Sequence, residues 1–289
     1  MVKEISIKID SELHGHRIEY VLEKELKISS SLIKRLKREE GGVMLNGVRT
    51  RVITKVCDGD VLTVNIKGKD AKNIVPAEIP LNILYEDEDV LVVNKPGNMP
   101  VHPSGLHKSD TLANAVVYYL KSRAAIHIIT RLDRETSGVV LIAKNPRAAA
   151  LLTEDMENGE IKKEYIAIVN GTPNPFEGTI SAPIRKKAER GIARCVSDDG
   201  KESVTLYEVM GKADKLSVVK LIPITGRTHQ LRVHMSYIGN PIYGDSMYGA
   251  SQKGERVRLH CHRLNFLNPV TGKEVFVTAK IPDDFNGLL

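Results

Sequence analysis

Polar and apolar residues alternate from Met1 to Asp10, the period of a strand with one buried face. The period then changes. Ile18, Val21, Leu22 and Leu26 recur at helical spacing. After the capping hydroxyls of Ser29, Ser30 and Ser31, a second short helix turns Leu32, Ile33 and Leu36 inward. Its polar face presents Lys34, Arg35, Lys37 and Arg38. Asn46-Gly47 between apolar residues predicts a tight hairpin, and Asp58-Gly59-Asp60 leads into an alternating strand from Val61 to Ile66. Residues 67–80 are charged and end in prolines, which suits a linker. Residues 1–66 are therefore expected to form a small domain and 81–289 a larger one.

In the larger part, Ile83 to Tyr85 and Val90 to Val93 read as strands joined by the acidic turn Glu86 to Asp89. Asp110 is expected to cap a helix whose core face is Leu112, Ala115, Val116, Tyr119 and Leu120. Two β-branched runs, Ile126 to Ile129 and Val139 to Ala143, predict buried strands on either side of a charged loop. Asn145-Pro146 starts a helix that ends near Gly159, and Ile161 to Val169 reads as an alternating strand. Residues 172–203, with Arg185, Lys186, Lys187, Arg190 and Arg194, read as an exposed, mobile, basic excursion. Strands are expected at 204–209 and 216–221. A helix follows with Leu231, Met235 and Ile238 inward, Gly239 at its end, and His229 and Arg232 on another face; C-terminal strands run through Ile281.

Composition narrows the picture. A chain of 289 residues is about two domains long, and 42% hydrophobic with 27% charged residues fits a globular core. Lys and Arg outnumber Asp and Glu by 42 to 36, a net +6 that suits a polyanionic partner. The absence of Trp and 4% aromatic content leave little room for stacking as the main mode of ligand capture. Three scattered cysteines, Cys57, Cys195 and Cys261, argue against a disulfide framework and for a reducing compartment. The N-terminus lacks a signal-peptide core, and no apolar run approaches the roughly 18 residues of a membrane helix. The expectation is a soluble cytoplasmic protein that makes no membrane contact.

Two clusters invite chemistry. Asp133 lies between Arg131 and Arg134 in the loop Thr130 to Gly138, where cations favour an ionised carboxylate. Several histidines raise the possibility of a metal. His229 and His234 are five apart rather than the four of HExxH, and His260 and His262 lack a third ligand at a recognisable spacing. No metal site is expected, although a metal-dependent nucleic-acid hydrolase is the reading that such a cluster would support.

The string Thr130 to Gly138, TRLDRETSG, resembles the HRLDRxTSG signature of the RluA-type pseudouridine synthases, with Thr130 where that family has His. Val92 to Pro103 (VVNKPGNMPVHP), the Lys163-Glu164-Tyr165 triplet and Gly226 to Arg232 (GRTHQLR) are similar to further segments of the family, in the same order. Residues 12–66 resemble the small alpha-L RNA-binding domain named after a small-subunit ribosomal protein.

The resemblance implies an α+β fold with a mixed, largely antiparallel central sheet flanked by helices and a cleft over Asp133. It implies isomerisation of uridine to pseudouridine in RNA without a cofactor. Asp133 would be the essential aspartate, Tyr165 would lie against the target base, and Arg232 would pair with the aspartate. Arg131 would fill the space that the flipped base leaves, and Arg134, His102 and Arg227 would lie on the RNA. Lys34, Arg35, Lys37 and Arg38 would contact phosphates. The small domain points to large-subunit ribosomal RNA, with transfer RNA as runner-up and a non-catalytic RNA-binding assembly factor as the other class. No obligate protein partner is inferred.

Overall fold

The computed structural model describes residues 2–67, 74–121, 126–189, 191–251 and 255–285. Arg190 and the stretch 68–73 of the expected linker lie outside the described residues.

The N-terminal residues build a four-stranded antiparallel sheet from β1 (Val2–Lys8), β2 (Val43–Leu45), β3 (Val48–Arg49) and β4 (Val61–Lys67), in the order β1-β4-β2-β3. Helices α1 (Ile18–Lys24) and α2 (Ser30–Leu36) bury Ile18, Val21, Leu22, Ile33 and Leu36 in a core shared with Leu62, Val64 and Ile66. Asn46 and Gly47 both have positive φ, 51° and 78°, which a two-residue hairpin of matching twist requires. Asn46 also donates to Asp60 and accepts from the Val61 N–H, so the turn and the start of β4 are one hydrogen-bonded unit. Ser29 accepts from the Leu32 N–H as the α2 cap.

The basic face of α2 differs from its expected form. The helix ends at Leu36, so Lys37 and Arg38 lie in the turn beyond it. Lys37 pairs with Glu19 at 2.7 Å and Arg35 with Glu39 at 3.3 Å, so two of the four cations are engaged by carboxylates. Lys34 and Arg38 remain exposed.

The larger sheet holds β5 (Ile83–Glu86), β6 (Val90–Lys95), β7 (His127–Ile128), β8 (Ser137–Ala143), β9 (Lys162–Asn170), β10 (Glu177–Ser181), β13 (Val204–Ala213), β14 (Leu216–Pro223), β15 (Leu259–Leu267) and β16 (Glu274–Thr278). Its order is β10-β13-β14-β9-β15-β8-β6-β5, with β16 on β15 and β7 on β8. The pairs are antiparallel except β8 with β15, which run parallel at Ser137 and Gly138 against His260 and Cys261. A separate hairpin joins β11 (Ile184–Lys186) to β12 (Arg194–Val196). Helices α3 (Leu112–Tyr119), α4 (Pro146–Glu157) and α5 (Gln230–Tyr237) complete the mixed α+β architecture. No helix among the described residues is long and apolar enough to cross a membrane.

β8 is buried at all seven positions, which explains its unbroken apolar sequence. Its start needs glycine. A Cβ on Gly138, at φ +115°, would lie 2.2 Å from the Cys261 carbonyl oxygen. That close approach sets the loop before Gly138 directly against β15.

Four further expectations change in the fold. The α3 cap is Thr111 rather than Asp110, which pairs instead with His107. α3 is buried from Leu112 to Val117, while Tyr119 is exposed and donates to Glu86. The reason is a second cover: Asn114 donates to the Val75 carbonyl and accepts from the Ala77 N–H, pinning the described half of the linker against the helix. β9 does not alternate; Tyr165 to Val169 are all buried because Ile166 and Ile168 pack on Phe285 across the other face. The excursion 172–203 contains β10, β11 and β12, three paired strands.

His260 on β15 is fully buried and its Nδ1 meets Ser137 Oγ at 2.9 Å. Burial pushes its pKa from 6.5 to about 4. On acidification the unfolded chain binds this proton near pH 6.5 and the folded chain only near pH 4. Stability is therefore expected to fall across that interval, by about 3 kcal/mol from this group, with no change above it. Denaturant unfolding of His260→Leu should lose that much less between pH 6.5 and 4. Equal pH dependence in the two proteins would mean that His260 is already charged in the fold.

Candidate active site

The loop between β7 and β8 is fastened from both sides. Thr130 is buried and its hydroxyl accepts from the Leu141 N–H at 2.8 Å, while Leu132 turns into the core. Below the loop, Lys95 is wholly buried at the end of β6. Its Nζ donates to the carbonyls of Pro96 and Met99, each at 2.9 Å, and of Arg134 at 3.1 Å. Burial outweighs the charges of Asp133 and Glu135, which favour the ammonium, and lowers its pKa to about 7. Three separate carbonyl acceptors use all three N–H bonds of the protonated form. Asp133 thus stands on a platform held by a cation beneath it.

The cation beside Asp133 comes from α5. Arg232 grips Asp245 with two parallel hydrogen bonds, Nε to Oδ2 at 2.7 Å and Nη2 to Oδ1 at 2.8 Å, and both residues are buried. Its remaining Nη1 reaches Asp133 Oδ2 at 3.4 Å and Glu135 at 3.7 Å. Burial alone would lower the guanidinium pKa. The hydrogen bonds to Asp245, with the charges of Asp245, Asp133 and Glu135, outweigh burial and raise it. The side chain stacks over the Tyr248 ring at 5.2 Å. His229 Nε2 approaches Asp133 Oδ1 at 3.9 Å from the other side.

Asp133 and His229 line a cleft of about 380 Å³, within the usual range for small-ligand sites. Tyr165 and Lys163 project into it from alternate positions of β9. Burial raises the Tyr165 phenol well above its ordinary value, and Cys261 and Asp133 add to the effect, so the hydroxyl keeps its proton. His102, Arg131 and Arg227 line the mouth, all exposed, and Arg227 Nε donates to the Glu202 carbonyl.

The structure therefore brings Asp133, Tyr165, Arg131, His102 and Arg227 to one cleft, with Arg232 in contact with Asp133. Arg134 is not part of the cleft lining: it is exposed and pairs with Glu135 at 3.0 Å. Of the cations expected around Asp133, Arg232, 99 residues distant and expected from the resemblance, contacts the carboxylate, whereas the sequence neighbour Arg134 pairs with Glu135. Lys34, Arg35, Lys37 and Arg38 belong to the small N-terminal sheet unit and do not line the cleft. Sequence reasoning missed Asp245, Glu135 and Tyr248, and assigned Lys95 no fastening role.

The histidines are occupied separately. His234 bonds Thr205 and the Ala182 carbonyl, His260 meets Ser137, and His262 meets the Ala279 carbonyl. Among the described residues no group of three or more His, Cys, Asp or Glu side chains is placed to hold a metal ion.

A family model described as RNA pseudouridylate synthase matches residues 89–237, the span from β6 through α5. An uncharacterized RNA pseudouridine synthase of Bacillus subtilis is 39% identical over 92% of this chain and 95% of its own length. The ribosomal large subunit pseudouridine synthase D of Zymomonas mobilis is 35% identical over 96% of this chain and 94% of its own. Among solved structures, human RNA pseudouridylate synthase domain containing 1 superposes with a TM-score of 0.61 at 31% identity, covering 72% of this chain and 86% of that one. The loop that presents Asp133, the strand of Tyr165 and the helix of Arg232 all fall within the matched span, and the chain belongs to the RluA family of RNA pseudouridine synthases.

Proposed function

We propose that this isomerase converts uridines of large-subunit ribosomal RNA to pseudouridine, with Asp133 as the essential anionic group. In the reaction the N1–C1′ glycosidic bond breaks and C5 bonds to C1′. The C5 proton leaves to solvent and N1 takes one up. The observation that carries the assignment of Asp133 is its seat: a carboxylate on a pinned loop at the floor of a cleft, against the guanidinium of Arg232. An arginine held on a second carboxylate is an oriented donor rather than a swinging charge.

Tyr165, buried and protonated, supplies the surface on which the extruded base stacks. Arg131, at the mouth, takes the place that the base leaves in the RNA, and His102 and Arg227 contact the flanking strand. Residues 1–66 act as a separate RNA-holding unit in which exposed Lys34 and Arg38 meet phosphates. The ribosomal target is supported by relatives named for the large subunit that align over nearly the whole chain, the N-terminal unit included.

Tritium release from RNA labelled at C5 of uridine tests the target directly. Large-subunit ribosomal RNA is expected to release tritium and bulk transfer RNA to remain silent. Release from transfer RNA alone would overturn the ribosomal assignment while leaving the isomerase chemistry in place.

A further inference from the structure

His229 stands in an unusual conformation. It occupies the position before the first turn of α5 with φ 58° and ψ 17°, a left-handed backbone that residues other than glycine rarely adopt. Its side chain makes no capping bond. Non-glycine residues persist in such conformations where the surrounding structure holds them, and they gather at functional sites.

The ring is held by Tyr248. Its Nδ1 lies 2.7 Å from the Tyr248 hydroxyl, with the two rings edge to face at 5.7 Å. That hydroxyl also accepts from the Arg194 backbone N–H at 2.9 Å. A phenol has one proton to give. With the Arg194 N–H directed at the oxygen, the phenol proton goes to His229, so Nδ1 accepts. The imidazole proton must then sit on Nε2, the nitrogen that faces Asp133 Oδ1 at 3.9 Å. Hydrogen bonds of catalytic groups are commonly this long before substrate closes the site.

The groups around the ring are Asp133 on the loop, Arg232 on α5, Arg194 on β12, and Asp245 and Tyr248 on the segment after α5. Burial, together with Arg232 and Arg194, outweighs Asp133 and Asp245 and holds the imidazole below its ordinary pKa. His229 is thereby a neutral donor at neutral pH.

We infer that His229 is a positioning residue for Asp133: a neutral imidazole, locked by Tyr248 in its Nε2–H tautomer, that orients one carboxylate oxygen while Arg232 engages the other. The inference rests on the reading of Asp133 as the essential group. Tyr248 sets the tautomer, and the backbone of β12 sets Tyr248. The device ties the aspartate to the β11–β12 hairpin, whose Arg185 and Lys186 are exposed.

Nitrogen-15 spectra of the full chain, with labelled histidines, read the tautomer directly. The His229 signal is identified among the nine histidines by its absence in His229→Gln. The wild type should show a protonated Nε2 and a bare Nδ1, and Tyr248→Phe, which leaves the backbone of His229 unchanged, should shift the population toward Nδ1–H. A protonated Nδ1 in the neutral wild-type ring overturns the inference. In tritium release at saturating RNA, His229→Ala should lower kcat by about a hundredfold, the usual effect of a misplaced reacting group, with RNA affinity unchanged. His229→Gln, whose amide N–H falls where Nε2–H stood, should recover to within about tenfold of wild type. A glutamine variant as slow as alanine would reduce His229 to packing. If instead Asp133→Ala retained activity, the underlying reading of Asp133 would fail while the tautomer result stood.

Discussion

Asp133→Asn is expected to stop isomerisation, lowering kcat by roughly 10⁴-fold or more, the scale of loss when an enzyme's principal reacting group is removed. The substitution keeps the shape of the side chain and removes only its charge. Asp133→Ala should fall equally low, which would assign the effect to the missing anion rather than to altered packing. RNA affinity should stay within about threefold of wild type, because taking a negative charge from a cleft that receives a polyanion does not weaken the encounter. Folding should be affected by less than about 1 kcal/mol, since Asp133 is 25% exposed and its contact with Arg232 at 3.4 Å is a long one. Arg232 keeps its two shorter bonds to Asp245. Tritium release with large-subunit ribosomal RNA, alongside a filter-binding isotherm, reads both quantities. A variant within tenfold of wild-type kcat would remove Asp133 from the chemistry.

Much of this arrangement could be read along the chain wherever its cause is local. Asn46-Gly47 marks a hairpin because few other pairs tolerate two positive φ angles, and the structure places the turn there. The β-branched run Val139 to Ala143 is a strand buried on both faces. The TRLDRETSG string places Asp133 on a loop between two strands, as its flanking apolar runs require.

What remained hidden depends on distance or on double cover. Charge proximity along the chain points only to Arg131 and Arg134 beside Asp133, and it is the resemblance of the GRTHQLR string, not any local pattern, that names Arg232. In space Arg134 turns to Glu135, and the ion-paired guanidinium arrives from α5. Asp245 lies 13 residues beyond Arg232 in a turn-rich string, with no local mark that it would be buried. Lys95 was illegible for a related reason: a lysine in a turn is ordinarily solvated, and only the convergence of three carbonyls in space makes this one a buried fastening. The one-sided patterns expected of β9 and α3 failed wherever a second layer, Phe285 or the segment at Val75, covers the face that such a pattern leaves to solvent.

The second large effect is expected at Asp245, through Arg232. In Asp245→Ala the guanidinium stays buried with two of its N–H directions unanswered. Losing one partner of a buried ion pair typically costs about 3–5 kcal/mol. Against a total stability of roughly 5–15 kcal/mol, the variant should melt at clearly lower temperature. It should also be a poor enzyme even where folded, because an unanchored Arg232 can turn wholly toward Asp133 and Glu135; a displacement of about 1 Å is enough for a hundredfold loss. Stability and catalysis can then be separated by removing both charges. Well-packed apolar residues often replace a buried ion pair without net cost, so Arg232→Met combined with Asp245→Leu should recover much of the lost stability. It should recover no activity, since Asp133 would stand without its cation. Thermal unfolding and tritium release on the three proteins decide the matter. Wild-type stability in Asp245→Ala would show that Arg232 finds another partner, and turnover in the double variant would show that Asp133 does not need the guanidinium.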